Sequence, residues 1–332
     1  MHLRTRAALA GAAALATLAA VGPSDPAAAA TRPPEVIKNV AYAPAEPAGS
    51  KGHLLDLYLP EGTAARPLVI WTGGSAWQRD DGKERAGAVA NALNPKGYAV
   101  AGVSIRSSSQ ATFPAQVHDL KAAIRFLRAN AATYRLDPKR FAYLGDSSGG
   151  WTADMATLTG GVEALEGGIG TTGVRSDVQA GISFYGVSDL RKLGSAQGGA
   201  PHEKLIGCSI KECPEKAAQA SPITHVDRAD PPLLLLHGRA DAVVPHEQTV
   251  LLYDALKAAC RETRFISVPG ANHNMNDVMS PSRHGTQTVY TVTDCKETVT
   301  NGTPNPTWDT IATFLDASLG AAIEPADHAR SS

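Results

Sequence analysis

The sequence predicts an α/β fold: a mostly parallel central sheet with helices on both faces and a small cap-like insertion. Three observations predict it. Apolar strand-like runs alternate with helix-compatible stretches along most of the 332 residues, and strand followed by helix, repeated, builds a parallel sheet covered on both sides. A serine stands between glycines at one strand-to-helix junction, in Gly145-Asp146-Ser147-Ser148-Gly149-Gly150. A candidate acid, Asp241, and a candidate imidazole, His273, each follow a later apolar strand, where open α/β sheets place their ligands.

The first thirty residues stand apart. Met1 to Arg6 is cationic, Ala7 to Val21 is an alanine-leucine run and Ala28-Ala29-Ala30 precedes Thr31, the pattern of a secretory signal peptide. The apolar run is too short to predict a membrane span. Residues 31–320 are expected to form a single catalytic domain and residues 321–332 a frayed tail. Leu54–Leu59, Pro67–Trp71 and Tyr98–Ile105 read as strands, and Val117, Leu120, Ile124 and Leu127 recur at helical spacing. Phe141–Leu144 is the strand before the serine, and Trp151–Leu158 continues as a helix. From Ser188 to Asp230 runs a Gly-rich, Cys-containing connection with no long apolar period, expected to lie over the site as a small cap. Pro231–Gly238 reads as a buried strand ending in a turn, Glu247–Ala259 as a helix and Thr263–Val268 as a strand. Asn276 to Pro306 is a second insertion, within which Thr288–Thr293 alternates like a strand, and Thr307–Leu319 supplies a closing amphipathic helix.

A serine between two glycines at such a junction reads as a nucleophile elbow. The turn is so sharp that side chains two residues to either side would collide with neighbouring elements, which glycine avoids at Gly145 and Gly149. The strained turn lifts the Ser147 hydroxyl to the top of the sheet and puts the Ser148 amide at a helix N-terminus, facing a developing oxyanion. Serine needs a base, and the base an orienting carboxylate. Asp241 and His273 follow in the chain order Ser, Asp, His that this architecture uses. Asp189, after Phe184-Tyr185-Gly186, is the second candidate for the acid. His237 precedes a glycine at a strand end and reads as satisfying local hydrogen bonds; His118, His225 and His246 lack the strand-end position. Thr72-Gly73-Gly74-Ser75-Ala76-Trp77 follows an early strand, and its small residues let the amide of Ser75 or Ala76 complete an oxyanion hole.

On these residues the chain resembles the α/β-hydrolase superfamily, and within it secreted bacterial carboxylesterases related to feruloyl and acetylxylan esterases, with kinship to the hormone-sensitive-lipase group. The similarity runs from about Val36 to His273 and takes in Phe113-Pro114-Ala115-Gln116, Ala220-Ser221-Pro222-Ile223 and Asp230-Pro231-Pro232. It implies an α/β-hydrolase fold whose first strands form an antiparallel edge. Ser147 would be nucleophile, Asp241 acid and His273 base, with oxyanion donors from Ser148 and from Ser75 or Ala76. In one place the chain departs from the pattern: Gly73 stands where the family's loop opens with histidine, and Ser75 replaces a glycine.

Composition agrees with a globular enzyme and offers no basic footprint for nucleic acid, with 43% hydrophobic residues, 19% charged residues and a formal net charge of −1. No metal or organic cofactor is called for, and the expected partner is a small-molecule or polysaccharide-linked ester. The four cysteines, Cys208, Cys213, Cys260 and Cys295, permit three pairings. Cys208 with Cys213 and Cys260 with Cys295 is the favoured one in an exported chain, beside a zinc site or free thiols. Trp77 and Trp151 are the aromatics nearest the chemistry, with packing the expected role for Trp151. Small acyl or hydroxycinnamoyl esters of plant polysaccharides are the first expectation for substrate. A prolyl-oligopeptidase-like peptidase, a polyester or lipid hydrolase and a non-catalytic binding protein are the alternatives.

Overall fold

Leucine, valine and isoleucine in short runs on either side of glycine-rich turns build one ten-stranded sheet. The computed structural model describes residues 32–194 and 199–320, so the leader-like segment 1–30 and the tail 321–332 lie outside the described residues. The strands are β1 (Glu35–Ala41), β2 (Leu54–Leu59), β3 (Arg66–Thr72), β4 (Ala99–Val103), β5 (Leu136–Asp146), β6 (Ala180–Phe184), β7 (Leu233–Gly238), β8 (Thr263–Val268), β9 (Thr288–Thr293) and β10 (Lys296–Asn301). Their order in the sheet is β1-β2-β4-β3-β5-β6-β7-β8-β9-β10. From β4 to β8 the pairing is parallel, while β1, β2, β9 and β10 pair antiparallel with their neighbours. In β7 all of Leu233 to Leu236 are buried, as a strand covered on both faces requires.

The helices are α1 (Ala86–Leu93), α2 (Ala115–Ala129), α3 (Ser148–Leu158), α4 (Pro201–Ile206), α5 (Pro214–Gln219), α6 (Glu247–Ala258), α7 (Met275–Val278) and α8 (Trp308–Leu319). Val117, Leu120, Ile124 and Leu127 are all buried on the inner stripe of α2, in one core cluster with Leu68, Ile70 and Tyr143. On the other face α1 and α8 bury Val89, Leu93, Ile311 and Leu315 with Val69, Leu144 and Ile182. Each such aliphatic side chain contributes about 1.5–3 kcal/mol relative to exposure.

Among the departures from the sequence expectation, three have a clear local reason. β5 begins at Leu136, because the polar run Asp137 to Arg140 is half-exposed and lacks the apolar pattern that marks a strand. α3 begins at Ser148, although Ser-Gly-Gly has low helix propensity, because the elbow delivers the chain directly into helical geometry. β10 is exposed along its whole length and carries no inward apolar face; hairpin pairing with β9 alone makes it a strand. The connection from Ser188 to Asp230 holds the short helices α4 and α5. Disulfides join Cys208 to Cys213 between those helices and Cys260, just beyond α6, to Cys295 in the β9–β10 turn. Among the described residues no helix is long and apolar enough to cross a membrane.

Asp154 in α3 gives this core a pH dependence. Its side chain is buried, Oδ2 accepts a 3.0 Å hydrogen bond from the Ser183 hydroxyl, and Oδ1 has no partner. Burial pushes the carboxyl up to about 8, only partly opposed by Ser183. The folded protein therefore keeps a proton that the unfolded chain releases above about pH 4, so this group's contribution to stability falls as pH rises from about 4 to about 8. The Tm advantage of Asp154→Asn over wild type is expected to grow between pH 5 and pH 9. An advantage independent of pH would contradict the buried neutral acid.

Candidate active site

The site forms where β3, β5, β7 and β8 end. Ser147 occupies the turn between β5 and α3 with φ 57° and ψ −123°, a region costly for a residue with a side chain. The crowding expected around it is present. A Cβ on Gly145 would lie 2.0 Å from the Gly149 carbonyl oxygen, and one on Gly149 would lie 2.0 Å from that of Thr72. The Ser147 amide donates to Phe184 O at 2.9 Å, which holds the turn against β6.

Asp241 sits in the loop after β7 and His273 in the loop after β8. The two loops are tied by Asn272, whose Oδ1 accepts from the amides of Ala242 and His273. His273 Nδ1 lies 2.7 Å from Asp241 Oδ2, and Nε2 lies 2.9 Å from Ser147 Oγ. Since a carboxylate only accepts, Nδ1 carries the proton and Nε2 is free to accept from the serine hydroxyl. The Asp241 side chain is fully buried and that of His273 is 17% exposed. Burial pushes the Asp241 carboxyl up. Hydrogen bonds from His237, His273 and the amides of Val243 and Val244 outweigh it and hold the group well below the ordinary carboxylate range. Asp241 therefore stays ionised at any pH at which the protein works.

His237 is a member of this cluster whose role sequence reasoning did not assign. It is buried and has local partners, as its strand-end position suggested, but one of them is Asp241 Oδ2, 3.1 Å from its Nε2. Nε2 also faces Val244 O at 3.1 Å; two acceptors require the proton there, leaving Nδ1 to accept from the Thr249 hydroxyl at 2.7 Å. One carboxylate oxygen thus serves two imidazoles. The only sequence signal was the spacing of four residues between His237 and Asp241. A hydrogen bond to a charged group contributes about 1.5–3 kcal/mol, so His237→Phe is expected to lower kcat roughly 10- to 100-fold. His237→Gln, which keeps a donor, should recover part of it. Equal activity in both variants would show that the second imidazole does not position Asp241.

The loop from Gly73 to Trp77 is anchored without an opening histidine. The Gly73 amide donates to Gly82 O at 2.7 Å, that of Gly74 to Asp146 Oδ1 at 2.7 Å and that of Ser75 to Ser148 Oγ at 2.9 Å. Asp146 in turn takes a bidentate pair from Arg85. The Ser75 amide is therefore engaged with the elbow, whereas those of Ala76 and Ser148 have no acceptor among the described residues. Sequence reasoning passed over Asp146 and Arg85, which lie 61 positions apart and meet only through the sheet.

The other candidates fall elsewhere. Asp189 caps a turn, accepting from the Arg191 amide and guanidinium, and does not reach His273. His246 pairs with Ser267, and His225 with Gln219 O. Trp151 is buried, with its indole N–H donating to Ala220 O at 2.7 Å, so it packs against the fold. Trp77 lies edge-on to Trp151 at 5.6 Å between centroids. It lines a cavity of about 290 Å³ with Ser147, Ser148, Val187, Val244 and Pro245.

The BD-FAE family model matches residues 55–256 of this chain. The chain is 29% identical over 217 residues to the probable carboxylic ester hydrolase LipM of Mycobacterium tuberculosis, covering 64% of this chain and 50% of that protein. It is likewise 29% identical over 238 residues to esterase LipQ of the same organism, covering 68% and 55%. It thus spans about half the length of these curated relatives. Among solved structures, a truncated form of a carbohydrate esterase from gut microbiota is 36% identical with TM-score 0.67, covering 72% of this chain and 89% of that one. A bifunctional GH43-CE protein from Bacteroides eggerthii is 38% identical, also with TM-score 0.67, covering 73% and 36%.

Fold and relatives define the class, that of the α/β-hydrolases with carboxylic ester hydrolases as kin. The stretch that the family model matches takes in β3 to β7 and the elbow at Ser147. The chain belongs to the BD-FAE family.

Proposed function

We propose that this chain is a secreted serine carboxylesterase, with residues 31–320 as its catalytic domain, that hydrolyses acetyl- or feruloyl-type esters carried on plant polysaccharides. The observation that carries the reading is the continuous relay from Ser147 through His273 to Asp241, at 2.9 and 2.7 Å. Ser147 Oγ attacks the ester carbonyl while its proton passes to His273 Nε2, and ionised Asp241 stabilises the resulting imidazolium. The amides of Ser148 and Ala76 take the tetrahedral oxyanion. Its collapse expels the alcohol, which leaves with the proton from His273, and water then repeats the sequence on the acyl-serine.

The cavity beside Ser147 is at the lower end of the range for small-molecule sites, about 300–1,000 Å³. Its apolar lining suits a short or aryl acyl group and supports that choice over a long lipid chain. Export is supported by the two disulfides. The test is a panel of p-nitrophenyl esters from acetate to palmitate beside acetylated xylan, methyl ferulate and an aminoacyl anilide. Turnover of acetate, ferulate and acetylated xylan is expected. Cleavage of the anilide with none of the esters would establish a peptidase instead.

A further inference from the structure

Helix α6 and strands β8, β9 and β10 border a cleft of about 560 Å³ that takes no part in the chemistry above. It shares no lining residue with the cavity at Ser147 or with a smaller one that borders His273. We infer that this cleft is a second binding site and that its ligand is an aromatic carboxylate, with the ring against Tyr290, Phe265 and Tyr253 and the carboxylate on Arg239.

The wall of the cleft is aromatic because of register and helical spacing. Phe265 of β8 stands opposite Tyr290 of β9, and the two rings stack with centroids 5.7 Å apart. His246, Val250, Tyr253 and Lys257 line the cleft from α6 and its N-cap, at the spacing that keeps one helix face together. Tyr253 therefore meets both rings, at 5.9 and 5.7 Å, and His246 lies 5.4 Å from Phe265. Phe265 and Tyr253 are buried, whereas Tyr290 is half-buried and keeps part of its ring open to a ligand.

Charge selects the rest of the ligand. Lys257 is matched by Asp254 at 3.2 Å and by Glu297 at 3.3 Å, and the Tyr253 hydroxyl donates to Glu297 at 2.7 Å. Burial, with His237 and Arg239 nearby, pushes the His246 imidazole down to about 4, so it stays neutral. Arg239 has no carboxylate partner among the described residues. Its Nε donates to Ser267 Oγ at 2.9 Å and its Nη2 to Thr288 Oγ1 at 3.1 Å, which fixes the guanidinium plane and leaves Nη1 without an acceptor. Ser267 is itself held, since its hydroxyl donates to neutral His246 Nε2 at 2.9 Å. A fixed, uncompensated guanidinium beside an aromatic wall suits a carboxylate carried on a ring. An aliphatic acid forgoes the ring contacts, and a neutral aromatic forgoes the charge.

The test is a titration of the whole chain with para-fluorobenzoate, followed by fluorine NMR, in wild type, Arg239→Gln, Tyr290→Leu and Val243→Trp. Saturable binding is expected in wild type. The Kd should rise about tenfold or more in Arg239→Gln and about three- to tenfold in Tyr290→Leu. Benzoate should displace the probe better than cyclohexanecarboxylate, and benzyl alcohol least. Val243 is exposed at the rim of the cavity beside Ser147, so Val243→Trp narrows that cavity and should leave the Kd unchanged. Arg239 is exposed and Tyr290 stands on a different strand, so one variant stays informative should the other fold poorly. Absence of saturable binding in wild type, an unchanged Kd in Arg239→Gln, or a loss of binding in Val243→Trp overturns the inference.

Discussion

Ser147→Ala is expected to lower kcat on an aryl acetate by about 10⁴- to 10⁶-fold while the fold survives. The hydroxyl accounts for one hydrogen bond, to His273 Nε2 at 2.9 Å, and its removal leaves the Ser147 amide on Phe184 O and the helix start intact. Alanine keeps the same backbone strain, since φ stays at +57° for a residue with a Cβ. Ser147→Gly, by contrast, relieves that strain and should be more stable than Ser147→Ala by about 1 kcal/mol. Kinetics with a fluorophosphonate label check the first part and thermal unfolding checks the second. Residual turnover within a hundredfold of wild type, or labelling of the alanine variant, would remove Ser147 from the role of nucleophile.

Asp241→Asn is expected to cost about 10⁴-fold in kcat and to destabilise the protein as well. Four donors converge on the carboxylate: His273 Nδ1 and His237 Nε2 on Oδ2, and the amides of Val243 and Val244 on Oδ1. A carboxylamide has one acceptor oxygen. If its nitrogen replaces Oδ2, His273 must present an unprotonated Nδ1 and its Nε2–H then faces Ser147, the wrong tautomer for a base. If the nitrogen replaces Oδ1, it meets two backbone N–H groups, and each buried donor left unpaired costs about 1–3 kcal/mol. Either orientation is unfavourable, so the loss of activity should come with a lower urea midpoint. An asparagine variant within tenfold of wild type would mean that the imidazole is oriented by something other than Asp241.

Much of this architecture was legible in the chain because its signals are local. The spacing of Val117, Leu120, Ile124 and Leu127 marked α2, Leu233 to Leu236 marked a strand buried on both faces, and Gly145 and Gly149 marked a turn too tight for a Cβ. The favoured cysteine pairing is the one the structure contains. β10 escaped notice because an edge strand open to water needs no apolar pattern.

What the sequence determined by itself was the fold class, the elbow and the order of three candidate side chains, because each depends on backbone geometry or on periodicity within a few residues. The tertiary structure alone decided the sharing of Asp241 between two imidazoles, the Arg85–Asp146 clamp behind the elbow and the engagement of the Ser75 amide with Ser148 Oγ. It also decided that separate cavities border Ser147 and His273. Such contacts join residues brought together by neighbouring strand ends, and hydrogen-bond direction over 3 Å leaves no trace in the spacing of residues along the chain.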